Sequence, residues 1–295
     1  MITLNPDNLA PIDLQSYLQH AIAPRPICFA STVDKAGHIN LSPFSFFNLF
    51  STNPPICVFS PSRRVRDNTT KHTLENILEV PECVINIVNY AMVQQVSLAS
   101  VEYPKGVNEF IKAGFTPLQS THVKPPRVAE SPVQLECLVQ QVIPLGQEGG
   151  AGNLVLAQIK LIHIKEEILN EKGKIDQKKI DLVARLGGNW YCRVTGNNLF
   201  KVDKPVSTIG IGIDAIPETI RHSHILSGNN LGQLGNVEAL PSDEAIELMK
   251  QHPEVRAILD ATMGDHKTRE IELHTRAKIL LDQGDVETAW QILLI

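Results

Sequence analysis

The sequence predicts a mainly β protein with peripheral helices: an antiparallel barrel followed by a helical C-terminal extension. Three observations carry this. Short apolar runs bounded by Pro, Gly, Asn and Ser recur up to about residue 198, as strands joined by turns do. No regular crossover helices separate those runs, as a parallel sheet would require. Beyond Gly210 the apolar spacing becomes helical, with breaks at Pro241, Pro253, Gly264 and Gly284. Residues 1–210 are therefore expected as the barrel domain and 211–295 as the helical extension.

The elements follow in chain order. Arg25–Thr32 (RPICFAST) reads as a strand, and Asp34-Lys35-Ala36-Gly37 as a hairpin turn whose glycine accepts positive φ. His38–Phe44 returns as the partner strand, and Phe46-Phe47-Asn48 predicts a bend. Asn53-Pro54-Pro55 punctuates the chain before a buried strand over Ile56–Ser60. Leu74, Ile77 and Leu78 share one face of a helix expected over Thr69–Glu79, with Asp67 or Asn68 as its cap. Glu82–Val88 is the next strand. Ala91–Ser100 and Asn108–Ala113 read as short helices, the second closed by Gly114.

Ser131–Ile143 and Leu154–Ile168 are two long strands around the Gly-rich loop Gly146–Asn153. Their length and β-branched content suit the tilted strands of a barrel. In the extension, helices are expected at Ser242–His252, Val255–Met263, His266–Gln283 and Val286–Leu293. The segment HTRAKILLDQGDVETAWQILL resembles one tetratricopeptide-type helical pair. A solenoid needs roughly three repeats, so a single pair reads as a cap on the barrel or on a dimer.

Composition excludes several function classes. A net charge of -5 argues against an extended nucleic-acid surface, which needs clustered Lys and Arg. Five scattered cysteines with no C-x-x-C pair read as reduced core thiols of a cytoplasmic protein, without a zinc or dithiol site. The N-terminus lacks a basic segment followed by an apolar one, so no signal peptide is expected. No apolar run approaches the roughly 18–20 residues that span a bilayer, so no membrane partner is expected either.

The basic residues cluster locally instead. Ser60, Arg63, Arg64, Lys71, His72 and Thr73 gather around a strand end, a loop and a helix start. Hydroxyl donors, charge-assisted contacts and the positive end of a helix dipole suit one phosphate there. Cations in a loop are often simply solvated; the ordered S-x-x-R-R with K-x-T following favours the phosphate. In the bend, Ser45, Asn48 and Ser51 put polar groups beside Phe46 and Phe47, which suits a flat ring with one apolar and one polar edge. Taken alone, alternate phenylalanines are equally ordinary core.

Other motifs point nowhere. Gly210-x-Gly212 lacks a third glycine and a βαβ setting, and the Gly146–Gly152 loop lacks the Lys-Ser/Thr of a nucleotide-binding loop. His222 and His224 do not share a helix face and no Cys or carboxylate pair joins them, so no metal is expected. No H-E-x-x-H or G-x-S-x-G occurs, and Asp176, Asp181 and Glu136 read as solvated acids.

The ordered pieces PRPI, NLSPFSFFN, NPP, S-x-x-R-R, K-x-T-x-x-NI and VIN, then PPRVAESPVQLEC and ARLGGNWY, extend over residues 20–205. Together they resemble the flavin-reductase-like, FMN-binding split-barrel family. The resemblance implies a split β-barrel, non-covalent FMN and a homodimer with the flavin near the subunit interface. It implies flavin-ring contacts from Thr32 and from Ser45, Phe46, Phe47 and Asn48. Phosphate contacts are implied from Ser60, Arg63 or Arg64, Lys71 and Thr73, with Arg25, Asn86, Arg185 and Tyr191 near the pocket. One departure is His72, where the family commonly places an acid between the Lys and Thr.

The implied activity is an FMN-dependent oxidoreductase of flavin-reductase type, with NAD(P)H as electron donor. No catalytic acid or base is expected, because the cofactor carries the chemistry. A flavoredoxin-like electron carrier served by a protein partner is the alternative, and a non-redox FMN-binding module a third. Reduction of bound flavin by NADH or NADPH alone separates the first from the others.

Overall fold

A helix not among those expected comes first. α1 (Pro11–Ala21) buries no residue and leaves Ile12, Tyr17 and Leu18 exposed, although Leu14, Tyr17, Leu18 and Ala21 recur at helical spacing. Pro11 at its first turn and a side chain at its end hold it: Arg25 Nη1 donates to the carbonyls of Gln19 at 2.6 Å and Ile22 at 2.8 Å. These coordinates are a computed structural model, which describes residues 1–202, 205 and 209–295.

β1 (Cys28–Val33) and β2 (Ile39–Phe44) form the expected hairpin. Asp34 Oδ1 accepts from the amides of Ala36 and His38 at 2.9 Å, and Gly37 turns at φ +87°. The expected bend at Phe46–Asn48 falls one residue earlier, at Ser45–Phe46, and Phe47 and Asn48 already begin a strand, β3 (Phe47–Thr52), paired with β4 (Pro55–Phe59) from Phe47↔Phe59 onward. β3 lies at the sheet edge, largely exposed, and so lacks the alternation that marks a half-buried strand.

α2 (His72–Glu79) starts three residues later than expected, with Lys71 at its N-cap position. Asp67 and Asn68 do not cap it. Asp67 Oδ1 accepts from the amide and hydroxyl of Thr69, and Asn68 adopts φ +53°, so both residues serve the preceding turn. β5 (Glu82–Ile87), α3 (Val93–Leu98) and α4 (Glu109–Ala113) follow, with Gly114 left-handed at the end of α4. A short pair, β6 (Pro117–Leu118) and β7 (Arg127–Val128), precedes the two long strands β8 (Val133–Pro144) and β9 (Asn153–Ile164). A last small hairpin joins β10 (Val183–Arg185) to β11 (Tyr191–Arg193).

Seven strands make one antiparallel sheet in the order β2-β1-β5-β8-β9-β4-β3. β1 is buried on both faces because successive side chains point oppositely. Cys28 and Ala30 join Phe44, Phe59, Ile85, Leu135 and Ala157 in one core cluster; Phe29 packs on the other side with Leu41, Met92, Phe110 and Phe115. Glu136, expected in solvent, is fully buried: its carboxylate accepts from the amides of Thr121 and His122 and lies 2.7 Å from His163 Nε2. A charge can be buried there because every side of the carboxylate meets a donor.

The chain divides into two compact units, Met1–Phe200 and Lys201–Ile295. The second holds α5 (Glu218–Arg221), α6 (Gly228–Gly235), α7 (Asp243–Met249), α8 (Pro253–Ala261), α9 (His266–Gln283) and α10 (Val286–Leu293). Its core gathers Ile220, Leu234, Leu273, Leu281 and Trp290, whose indole N–H donates to Leu234 O at 3.1 Å. α6 (GNNLGQLG) has too much glycine to read as a helix, yet a Ser227–Asn230 capping box starts it. Gly210-x-Gly212 has a packing role: Gly212 N donates to Gly235 O at 3.0 Å, and a Cβ on Gly210 would meet that same oxygen at 2.5 Å. No helix among the described residues is long and apolar enough to cross a membrane.

Candidate functional site

The cations meet at the start of α2. Arg64, in the loop after β4, donates from Nη1 to Thr69 Oγ1 at 2.8 Å and to the Thr70 carbonyl, which fixes the guanidinium against the 64–70 turn. Lys71 follows, its ammonium held below its usual pKa by burial and by the neighbouring Arg64 charge. Lys71 O accepts from Leu74 and Glu75, while no side chain caps the helix. Among the described residues the amides of His72 and Thr73 have no hydrogen-bond partner. Two free N–H groups, a helix dipole and two cations converge on one cleft, which Asn40, Ser42 and Thr73 also line.

Behind the cleft lies a buried polar chain. Thr73 Oγ1 donates to Asn40 Oδ1 at 2.6 Å, Asn40 Nδ2 donates to Glu109 Oε1 at 2.8 Å, and Leu41 N donates to Glu109 Oε2 at 2.9 Å. Burial pushes the Glu109 carboxyl up, and these donors oppose that rise. The hydroxyl proton of Thr73 is thus spent on Asn40, leaving its main-chain N–H for a ligand.

Glu102, on the exposed loop between α3 and α4, closes the cleft from outside. Its carboxylate accepts from Arg64 Nε at 2.7 Å and Arg66 Nη2 at 2.9 Å, and lies 3.8 Å from Lys71 Nζ. The hydrogen bond from Arg64, then that from Arg66, holds its pKa below the usual value.

Other residues singled out in the sequence are committed elsewhere. Ser60 Oγ accepts from Asn153 N at 3.0 Å, pinning the strand β9 start. Arg63 donates to Asn68 Oδ1 and to its carbonyl, both at 2.6 Å. Arg25 ties α1 down and lies 3.4 Å from Ser45 Oγ. Asn86 is fully buried between Phe29 O and Val128 N, and Thr32 Oγ1 accepts from Asn76. Strand β2 carries Asn40 and Ser42 into the cleft and leads to Ser45; beyond it Phe46 and Asn48 are exposed and Phe47 is half-buried. Arg185 and Tyr191 line a separate cleft with Tyr90 and Arg193, the Arg185 guanidinium lying 4.6 Å from the Tyr191 ring.

The cleft fits a phosphate better than the sequence alone could establish. The helix-start amides of His72 and Thr73 are the groups that fit it, since no partner among the described residues takes them. Asn40, Glu109 and Glu102 escaped the sequence reading because nothing local marks them. Each reaches the site from a different element, Glu102 from about thirty residues beyond Lys71.

Known proteins resemble this chain over the residues that carry the barrel. A family model described as flavin reductase like domain matches residues 20–179. An uncharacterized protein of Aquifex aeolicus is 36% identical over 181 residues, covering 61% of this chain and 90% of that relative. Among solved structures, nitrilotriacetate monooxygenase component B from Bacillus cereus superposes with a TM-score of 0.64 at 29% identity, over 68% of this chain and 98% of that one. Flavoredoxin of Desulfovibrio vulgaris shares the fold, with a TM-score of 0.54 at 21% identity over 70% of this chain and 98% of that one.

Proposed function

The chain belongs to the flavin reductase-like family, and from that membership we propose that it is an FMN-dependent oxidoreductase that takes electrons from NAD(P)H. The observation that carries the FMN reading is the α2 cleft: two unpartnered amides backed by Lys71 and Arg64. A phosphomonoester there gains charge-assisted hydrogen bonds and the helix dipole together. The phosphate assignment narrows accordingly. His72 and Thr73 contribute main-chain N–H groups, Lys71 and Arg64 contribute charge, and Ser60 and Arg63 shape the loop that presents Arg64.

The flavin ring would run from the cleft along β2 toward Ser45–Asn48, where Phe46 offers an apolar surface and the main chain offers polar groups. Bound flavin supplies the electron chemistry, while the chain binds, orients and restricts water. A second copy of the chain is the expected partner. The β3 edge leaves Leu49 52% and Phe50 70% exposed beside the ring segment, an apolar edge that a dimer would cover. A reducing cytoplasm suits the five free cysteines, four of them buried.

The test is an anaerobic visible spectrum of the FMN-loaded protein before and after NADH, then NADPH. Loss of the oxidised-flavin band with either nucleotide supports the reductase reading and names its donor. A band bleached only by a chemical reductant refutes it in favour of an electron carrier, and failure to retain any FMN refutes the cofactor assignment.

A further inference from the structure

Glu102 stands where an anionic ligand would stand. Its two carboxylate oxygens take hydrogen bonds from Arg64 and Arg66 at 2.7 and 2.9 Å, and one oxygen lies 3.8 Å from Lys71 Nζ. These contacts include both cations that the cleft offers a phosphate. One carboxylate in this place does for Arg64 and Lys71 what a phosphate oxygen pair would do.

The loop carrying Glu102 is built to let go. Residues 99–108 connect α3 to α4, and Val101, Glu102, Pro104, Lys105 and Gly106 are exposed. Its first residues are tied to α3 through Ala99 N–Gln95 O, Ser100 N–Ser97 O and Val101 N–Leu98 O and through Ser100 Oγ, which donates to Ser97 O. Beyond Val101, apart from Glu102 itself, the side-chain ties among the described residues are a Lys105–Glu75 pair at 3.3 Å and the Lys112 ammonium over the Tyr103 ring. Exposed ion pairs of this kind are individually weak and are exchanged at little cost. The helix-start amides, by contrast, are left unpartnered, since Glu102 contacts the cations and not His72 N or Thr73 N. Glu102 therefore neutralises the cations of the cleft and leaves its two main-chain donors uncontacted.

We propose that Glu102 is an internal stand-in for the ligand's phosphate, occupying the cations of the ligand-free site and leaving as the phosphate binds. This rests on the phosphate assignment made above and adds a mechanism that sets how tightly the site holds its flavin. Binding then exchanges one anion for another, so the net gain from the cations is reduced by what Glu102 gives up. The amides of His72 and Thr73 tip the exchange toward phosphate. The consequence is an FMN held less tightly than the same cations and amides would hold it without Glu102.

The experiment measures FMN and riboflavin dissociation constants by flavin fluorescence for the full chain, for Glu102→Gln and for Lys71→Ala. Glu102→Gln keeps the side-chain size and removes the charge at an exposed position, so the fold is expected to hold; a thermal melt verifies it. The expected result is FMN binding about fivefold tighter in Glu102→Gln, equivalent to ~1 kcal/mol. Riboflavin, which lacks the phosphate, should bind both proteins equally.

FMN binding that is unchanged or weaker in Glu102→Gln, while Lys71→Ala still loses FMN, overturns the stand-in and leaves the phosphate site intact. Equal tightening of FMN and riboflavin also overturns it, because the effect would then lie outside the phosphate. If Lys71→Ala binds FMN like the parent protein, the phosphate assignment itself fails and the stand-in fails with it.

Discussion

Lys71 and Thr73 sit two residues apart, yet the structure gives them opposite roles, and that contrast can be measured. Thr73 is 1% exposed and sends its hydroxyl proton to Asn40 Oδ1 at 2.6 Å; Asn40 in turn donates to the buried Glu109. Thr73→Val keeps the shape and the main-chain N–H but strands Asn40 Oδ1 without its donor. Leaving one buried acceptor unpaired costs about 1–3 kcal/mol. For a unit of this size that corresponds to a drop in Tm of roughly 2–12 °C. FMN affinity should change less than about threefold, since the ligand-facing group is the amide.

Lys71→Ala should do the reverse. Its ammonium is partly desolvated and crowded by Arg64, so its loss relieves a cost and leaves stability unchanged or slightly higher. A charge-assisted contact to phosphate is worth about 1.5–3 kcal/mol, so FMN should bind roughly 10- to 150-fold more weakly. The assay pairs thermal denaturation of the apoprotein with FMN fluorescence titration. Thr73→Val losing FMN as severely as Lys71→Ala, with Tm unchanged, would refute the division of labour.

Three further outcomes are expected. Gly210→Ala places a Cβ 2.5 Å from Gly235 O, a backbone atom that cannot step aside, so the C-terminal unit should lose about 1–3 kcal/mol in chemical denaturation; an unchanged midpoint would refute that close approach. His274 is buried with Nδ1 2.8 Å from Ser223 Oγ, whose lone pairs already take the amides of Ile225 and Leu226, so the imidazole must accept and be neutral. Burial lowers its pKa from 6.5 although Glu270 opposes the shift; the native state therefore binds fewer protons than the unfolded one. The stabilisation is present above pH 6.5 and lost as pH falls through the lowered native value, so the melting midpoint should fall on acidification and fall less in His274→Gln. Light scattering should give twice the 32.6 kDa chain mass, with Phe50→Glu on the exposed β3 edge shifting the protein toward monomer.

The strands were legible where burial imposes a period. β1 and β5 read as apolar runs because both of their faces meet protein, and β4 is legible through its buried Cys57 and Phe59 face. α9 and α10 read as helices because Gly284 and Asp285 mark the turn between them. Elements without such a constraint stayed hidden: β3 lies at an edge, and five of the eight residues of α6 are glycine or asparagine.

The sequence by itself determined the family and where Ser60, Arg63, Arg64, Lys71 and Thr73 gather, because S-x-x-R-R and K-x-T are local patterns fixed by one loop and one helix start. Only the tertiary structure decided which of those residues are free to act. Hydrogen bonds join groups distant along the chain, so no local pattern could show that Asn153 engages Ser60 or that Asn40 takes the proton of Thr73. The same holds for Glu102, whose charge acquires meaning only when its loop is folded against Arg64, Arg66 and Lys71.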